Sequence, residues 1–132
     1  MLELLAGTGV VTGPLVRAGV DLVAVEPGGE GRAQLRRALP GLAVLAARPE
    51  LLPLAPGRAA AVLLTAPELL ASSAVVGELD RVLAPGGVLV LLARPGTGST
   101  TVGLDRFGRP ESTEHSAGAA ELPSVVTAWR RS

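Results

Sequence analysis

The chain of 132 residues contains no cysteine, lysine, isoleucine, tyrosine or asparagine, and His115 is its single histidine. The absence of cysteine excludes a disulfide framework, thiolate chemistry and zinc sites with sulfur ligands. A single histidine also excludes a metal site built from several imidazoles. Twelve arginines balance 12 acidic residues, so the formal net charge is zero. This balance argues against a nucleic-acid-binding protein held mainly by charge, and we expect neither a metal nor a nucleic-acid partner.

Long uninterrupted apolar segments are also absent. Residues 4–16 carry no charge but contain glycines and a proline, and no basic residue precedes them, unlike a signal peptide. Residues 82–93 are too short to span a bilayer and are broken by Pro85. We therefore expect a cytoplasmic protein with no membrane association. The all-arginine, Ala/Val/Leu-rich composition suggests a GC-rich bacterial genome.

What the sequence does contain is a series of short Val/Leu-rich segments separated by 17 glycines and 11 prolines. These segments are continuous rather than alternating, which is typical of parallel strands covered on both faces. They occupy residues 1–5, 22–25, 42–45, 60–64 and 88–92. A further strand is predicted at residues 124–130. The chain is long enough for one domain, and we predict an α/β, doubly wound, mostly parallel Rossmann-like sheet of five parallel strands plus an antiparallel C-terminal strand.

Helical spacing appears between the predicted strands. The clearest apolar stripe comprises Val75, Val76, Leu79, Val82 and Leu83, with Ser72 or Ser73 as the N-cap and Pro85-Gly86-Gly87 at the end. A shorter stripe comprises Leu35, Ala38 and Leu39, and leaves Arg32, Arg36 and Arg37 to face water.

Two features at strand ends point to a ligand. Ala6-Gly7-Thr8-Gly9 forms a small-residue turn after the first strand, where backbone N–H groups can approach a ligand closely. Glu26 ends the second strand, 17 residues after Gly9. A carboxylate there can accept two hydrogen bonds from a ribose diol, an arrangement used by both nicotinamide and S-adenosylmethionine binders.

Three details favour the second cofactor. Glu3 lies inside the first strand, the glycines follow the spacing G-x-G-x-x-x-G, and R-V-L-A-P-G-G-V-L joins a helix to a strand. With L-E-L-L-A-G-T-G, V-A-V-E-P and P-E-L-L-P-L, this order resembles the class I S-adenosylmethionine-dependent methyltransferases, especially the small-molecule group, over residues 2–93. The last strand, L-P-S-V-V-T-A-W-R, also looks like that of the family.

The resemblance implies a set of cofactor contacts and no dedicated catalytic residue. Ala6, Gly7, Thr8 and Gly9 would wrap the methionine part of S-adenosylmethionine, with Glu3 at its ammonium end. Glu26 would hold the ribose and Pro27 would lie beside the adenine. Glu50, in Arg48-Pro49-Glu50, falls on the adenine-edge loop, and Thr65 would face the sulfonium and the acceptor. The chain is then one domain, residues 1–132: a cofactor-binding core (1–93), an irregular, reduced substrate region (94–123) and a terminal strand (124–130).

The sequence departs from the family in ways that keep alternatives open. Leu5 replaces the usual first glycine, Pro14 follows Gly13 where the first helix should begin, and Ala60 replaces a common carboxylate. We therefore expect that helix to start later, with Thr12 as its cap. Met1 adjoins the first strand, so the helices that normally precede it are expected to be missing. The primary hypothesis is a methyltransferase-like domain acting on a small molecule. The alternatives are a catalytically inactive remnant or scaffold and, ranked last, an NAD(P)-dependent oxidoreductase.

Overall fold

Strands and helices alternate along the chain in a computed structural model that describes residues 1–4, 6–7, 9–93, 107, 112–116 and 124–132. The strands are β1 (Leu2–Leu4), β2 (Val23–Val25), β3 (Ala43–Leu45), β4 (Ala59–Leu64), β5 (Leu83–Ala93), β6 (Ser112–Ser116) and β7 (Ser124–Arg130). The helices are α1 (Thr12–Arg17), α2 (Gly29–Ala38) and α3 (Ser73–Val82), with a 3₁₀ segment at Pro67–Ala71. Among the described residues, no helix is long and apolar enough to cross a membrane.

The strands form one sheet in the order β3-β2-β1-β4-β5-β7-β6. Strands β1 to β5 are parallel to one another, whereas β7 runs antiparallel to both β5 and β6. The predicted fold class, a doubly wound and mostly parallel α/β sheet with an antiparallel C-terminal strand, is confirmed. The strand order reverses between β1 and β4, which is where open α/β sheets bind ligands.

The two faces of the sheet carry different side chains because successive residues of a strand point in opposite directions. Leu4, Val25 and Leu64 share one row of the sheet and belong to the main apolar core, together with the buried stripe of α3. Ala24 lies on the opposite face and packs with Leu35 of α2. The predicted α3 stripe is buried, and the Ser72 hydroxyl accepts from Val75 N at 3.4 Å as an N-cap.

Several local predictions are wrong. Residues 112–116, within the segment expected to be irregular, form strand β6. Helix α3 ends at Val82, before Pro85-Gly86-Gly87, because the chain passes directly into β5. Ala38 is exposed rather than part of an apolar stripe.

Helix α1 also differs from the prediction. Thr12 is its first residue and Val11 its N-cap, with no side-chain capping bond. Pro14 falls in the first turn, where the missing N–H is tolerated, so the helix does not need to start later.

Candidate cofactor-binding site

Strand register brings the ends of β2 and β4 to the same level beside the turn that follows β1. Leu4 pairs with both Val25 and Leu64, so the next residues, Glu26 and Thr65, leave the sheet on either side of that turn. Neighbouring strands are about 4.8 Å apart, which places these two positions on the order of 10 Å from one another. Thr65 is half-buried there. A ligand bound at this edge of the sheet could contact both strand ends.

The glycine turn is held by backbone hydrogen bonds and by two residues with positive φ. Ala6 N donates to Val25 O at 3.3 Å, and Gly9 N donates to Ala6 O at 3.0 Å. Gly7 has φ 56° and Gly9 has φ 86°, a region that side chains disfavour. A Cβ at Gly9 would also lie 3.0 Å from Leu35 Cδ2, so this turn requires glycine there. Thr8, predicted to contact the cofactor, lies outside the described residues, as does Leu5.

Glu26 connects the two predicted motifs directly. Its Oε2 accepts from Gly7 N at 3.0 Å, and its Oε1 accepts from Gly28 N at 3.0 Å. The side chain is half-buried. A carboxylate oxygen has two lone pairs, so each oxygen can accept one further hydrogen bond, as a ribose diol would require.

Arg32 supports the same strand end from helix α2. Its Nη1 donates to Glu26 O at 3.0 Å and to Pro27 O at 2.6 Å, and the side chain is only partly exposed. The prediction that Arg32 merely faces water is therefore wrong. The apolar pattern of the helix carries no signal for this contact, because the acceptors are backbone carbonyls. The Pro27 ring itself is exposed beside Glu26.

Glu3 is buried in β1, where it is 1% exposed. Desolvation raises the pKa of its carboxyl group above the ordinary value, and the Thr12 hydroxyl offsets this only in part. Thr12 Oγ1 lies near the carboxyl group but forms no hydrogen bond of normal geometry, and within the described part of the chain Glu3 Oε2 has no hydrogen-bond partner either. An unpartnered buried acceptor is costly for the free protein, and a bound cationic group would relieve that cost.

The segment carrying Glu50 follows β3 and is attached to α3. Glu50 is exposed, in a turn closed by a bridge between Arg48 and Leu51. The next residue, Leu52, donates from its backbone N–H to Glu78 Oε2 at 2.7 Å, and its carbonyl accepts from Arg81 Nη2 at 2.9 Å. Arg81 Nη1 also donates to Leu54 O at 2.7 Å.

Glu78 and Arg81 themselves form an ion pair at 2.6 Å. The guanidinium holds the pKa of the Glu78 carboxyl below its ordinary value. Their i,i+3 spacing indicates a helical ion pair, but nothing in the sequence shows that the pair binds a loop.

Residues 2–91 match a protein family described as "Methyltransferase domain". The chain belongs to this family. The uncharacterized methyltransferase Rv3342 of Mycobacterium tuberculosis is 41% identical over 93 residues, and its counterpart Mb3374 in Mycobacterium bovis gives the same values. The match covers 70% of this chain but 38% of either relative, so the chain spans well under half of their length.

Solved methyltransferase structures share the fold. An S-adenosylmethionine-dependent methyltransferase from Methanosarcina mazei superposes with a TM-score of 0.74 at 16% identity, covering 98% of this chain and 91% of that one. The 1,6-didemethyltoxoflavin-N1-methyltransferase of Burkholderia thailandensis, solved with bound S-adenosylhomocysteine, has a TM-score of 0.70 at 16% identity, covering 99% and 70%. The family and these structures agree with the expected cofactor, S-adenosylmethionine.

Proposed function

We propose that this domain binds S-adenosylmethionine at the edge formed by the glycine turn and Glu26, and that it transfers a methyl group to a small-molecule acceptor. The observation that carries the proposal is the hydrogen bond between Gly7 N and Glu26 Oε2. This bond unites the two ligand-binding signals of the sequence at the topological switch point. A turn of small residues then lies beside a carboxylate that has spare acceptor capacity.

The residues present suit this cofactor. Glu3 offers a buried acceptor without a partner, which matches the cationic ammonium of the methionine part. Glu26 offers its free lone pairs to the ribose hydroxyls. The full proposed set of cofactor contacts is Glu3, Ala6, Gly7, Thr8, Gly9, Glu26, Pro27, Glu50 and Thr65. Of these, Glu50 has the least support, since it is exposed on its turn.

The chemistry requires alignment more than a catalytic side chain. When bound, the cofactor supplies a methyl group already activated by a sulfonium. The protein's part is to hold both reactants in line and to exclude water, and no residue here needs to act as a base. A small-molecule acceptor is supported by the Burkholderia enzyme, whose bound 1,6-didemethyltoxoflavin is such a molecule.

Calorimetric titration with S-adenosylmethionine and S-adenosylhomocysteine tests the proposal. We expect saturable binding that Glu26→Ala weakens by about tenfold or more, as for the loss of hydrogen bonds to a charged group. Glu30→Ala is the matched control, because Glu30 is an exposed carboxylate in the first turn of α2. Absence of heat at millimolar ligand would overturn the proposal.

The inactive remnant is the second candidate, favoured by the sequence departures at Leu5 and Ala60. Cofactor binding without formation of S-adenosylhomocysteine across a broad panel of small-molecule acceptors would support it. The family relationship decides against the oxidoreductase, and titration with NADH serves as the negative control. A cytoplasmic, bacterial setting stays a prediction from composition.

A further inference from the structure

We propose that Gly31 and Arg32, in the first turns of α2, are positioning residues that seat the Glu26 carboxylate between two backbone amides and thereby direct it towards the ribose diol. The part concerning the diol rests on the proposed function. The placing of the Glu26 carboxylate between the two backbone amides does not rest on that function, because it depends only on contacts within the free protein.

The Glu26 side chain has little room to move. Both of its oxygens are engaged, Oε2 by Gly7 N and Oε1 by Gly28 N, each at 3.0 Å. A displacement of a few tenths of an ångström lengthens at least one of these bonds. Both bonds can form only while the Cγ and Cδ atoms of Glu26, the stem of its side chain, keep their position.

That stem packs against the position where Gly31 lacks a side chain. A Cβ on Gly31 would lie 3.0 Å from Glu26 Cγ and 3.1 Å from Cδ, closer than ordinary van der Waals contact. Glycine within a helix is otherwise destabilising relative to alanine. The missing side chain therefore has a use here, which is to let α2 approach the carboxylate.

Arg32 fixes the backbone that carries this side chain. Its guanidinium donates to the carbonyl oxygens of Glu26 and Pro27, at 3.0 and 2.6 Å. Gly31 and Arg32 act on two parts of one residue, its stem and its main chain. Neither needs to touch the ligand.

The test compares Gly31→Ala with Gly77→Ala. Gly77 is also a helical glycine, but a Cβ there meets nothing within 4 Å. We expect Gly77→Ala to raise the Tm by about 2–4 °C. Gly31→Ala should lower the Tm or leave it unchanged, and should weaken S-adenosylhomocysteine binding by about fivefold to tenfold, while Gly77→Ala binds like the wild type.

A double-mutant cycle with Glu26→Ala separates positioning from a general effect on folding. In that background the obstructed stem is gone, so Gly31→Ala should raise the Tm as Gly77→Ala does. Two results would overturn the proposal. One is an equal change of Tm and of S-adenosylhomocysteine affinity for Gly31→Ala and Gly77→Ala in the wild-type background. The other is a fall in Tm on Gly31→Ala that is as large in the Glu26→Ala background as in the wild type.

If Glu26→Ala does not fold, Arg32→Met and Arg36→Met provide the second comparison, since Arg36 is exposed on the same helix. Arg32→Met should lower both the Tm and the ligand affinity, and Arg36→Met neither; equal effects overturn the proposal. Should the wild type not bind S-adenosylhomocysteine, the function and the orientation towards the diol fail together. The Tm values of the double-mutant cycle still decide whether Gly31 positions the Glu26 side chain.

Discussion

Glu3 is a carboxyl group in the middle of an apolar sheet, and its energetic effect depends on pH. Its pKa is raised from 4.5 because burial disfavours the charged form. The cost of burying the charge is therefore fully present above the raised pKa and disappears as the pH falls through it towards 4.5. A residue that destabilises the free protein at neutral pH is typical of a binding site rather than of a core.

Glu3→Gln should make the free protein more stable at neutral pH, by about 1–2 kcal/mol, because an amide of the same shape has no charged form for burial to disfavour. The difference from the wild type should shrink as the pH approaches 4.5. Urea denaturation between pH 4.5 and 8 measures both effects, with exposed Glu30→Gln as the control. A constant difference across this range would contradict the assignment of the effect to the Glu3 charge.

Residue types at strand ends were predictable from the sequence, whereas their contacts were not. Gly7 and Glu26 were selected because their positions follow predicted strands, and the structure joins them by a hydrogen bond. The helical pattern predicts a solvated Arg32, since the partners of its guanidinium are carbonyls that only the folded turn brings within reach. Glycines at 28, 29 and 31, clustered where a helix begins, were the available signal for a side chain packed against backbone.

Helix α3 binds the connection between β3 and β4, so the Glu78–Arg81 ion pair on the helix holds the backbone of that connection in place. Glu78→Gln should destabilise the protein by about 1–2 kcal/mol at pH 7, because it weakens charge-assisted bonds to Arg81 and Leu52 N. The lowered pKa of Glu78 means that its contribution is present above pH 4.5 and is lost as the pH falls through the lowered pKa.

The measurement is urea denaturation from pH 7 down to pH 3, with exposed Glu68→Gln as the control. The difference in stability between the wild type and Glu78→Gln should narrow as the pH falls below 4.5. A difference as large at pH 3 as at pH 7 would show that the pair does not act through its charge.

Strands with continuous apolar side chains were predictable, and a polar edge strand was not. The runs that form β1 to β5 are Val/Leu-rich, as is typical of parallel strands with helices packed against the sheet. Strand β6, Ser-Thr-Glu-His-Ser, pairs on one side with β7 and carries no apolar signal. The place of β6 in the sheet depends on its pairing with β7, and the residues of β6 alone carry no signal for that pairing.

At the scale of the whole molecule, the described residues bury one face of the sheet more completely than the other. On the face that carries α3, Leu89 and Leu91 of β5 are 0% and 2% exposed. On the opposite face of the same strand, Val88, Val90 and Leu92 are only half-buried. The core therefore lies mainly between α3 and the sheet, and stability should depend on that face.

Leu91→Ala and Leu92→Ala compare the two faces at adjacent positions with the same side chain. Leu91→Ala should cost about 2–4 kcal/mol, because it leaves a cavity in a packed core. Leu92→Ala should cost about 1 kcal/mol, since part of its side chain is already exposed to water. Denaturant titration measures both, and Leu91→Val and Leu92→Val replace them if the alanine variants do not fold. Equal losses would mean that the second face is as well covered as the first, and would refute a core concentrated under α3.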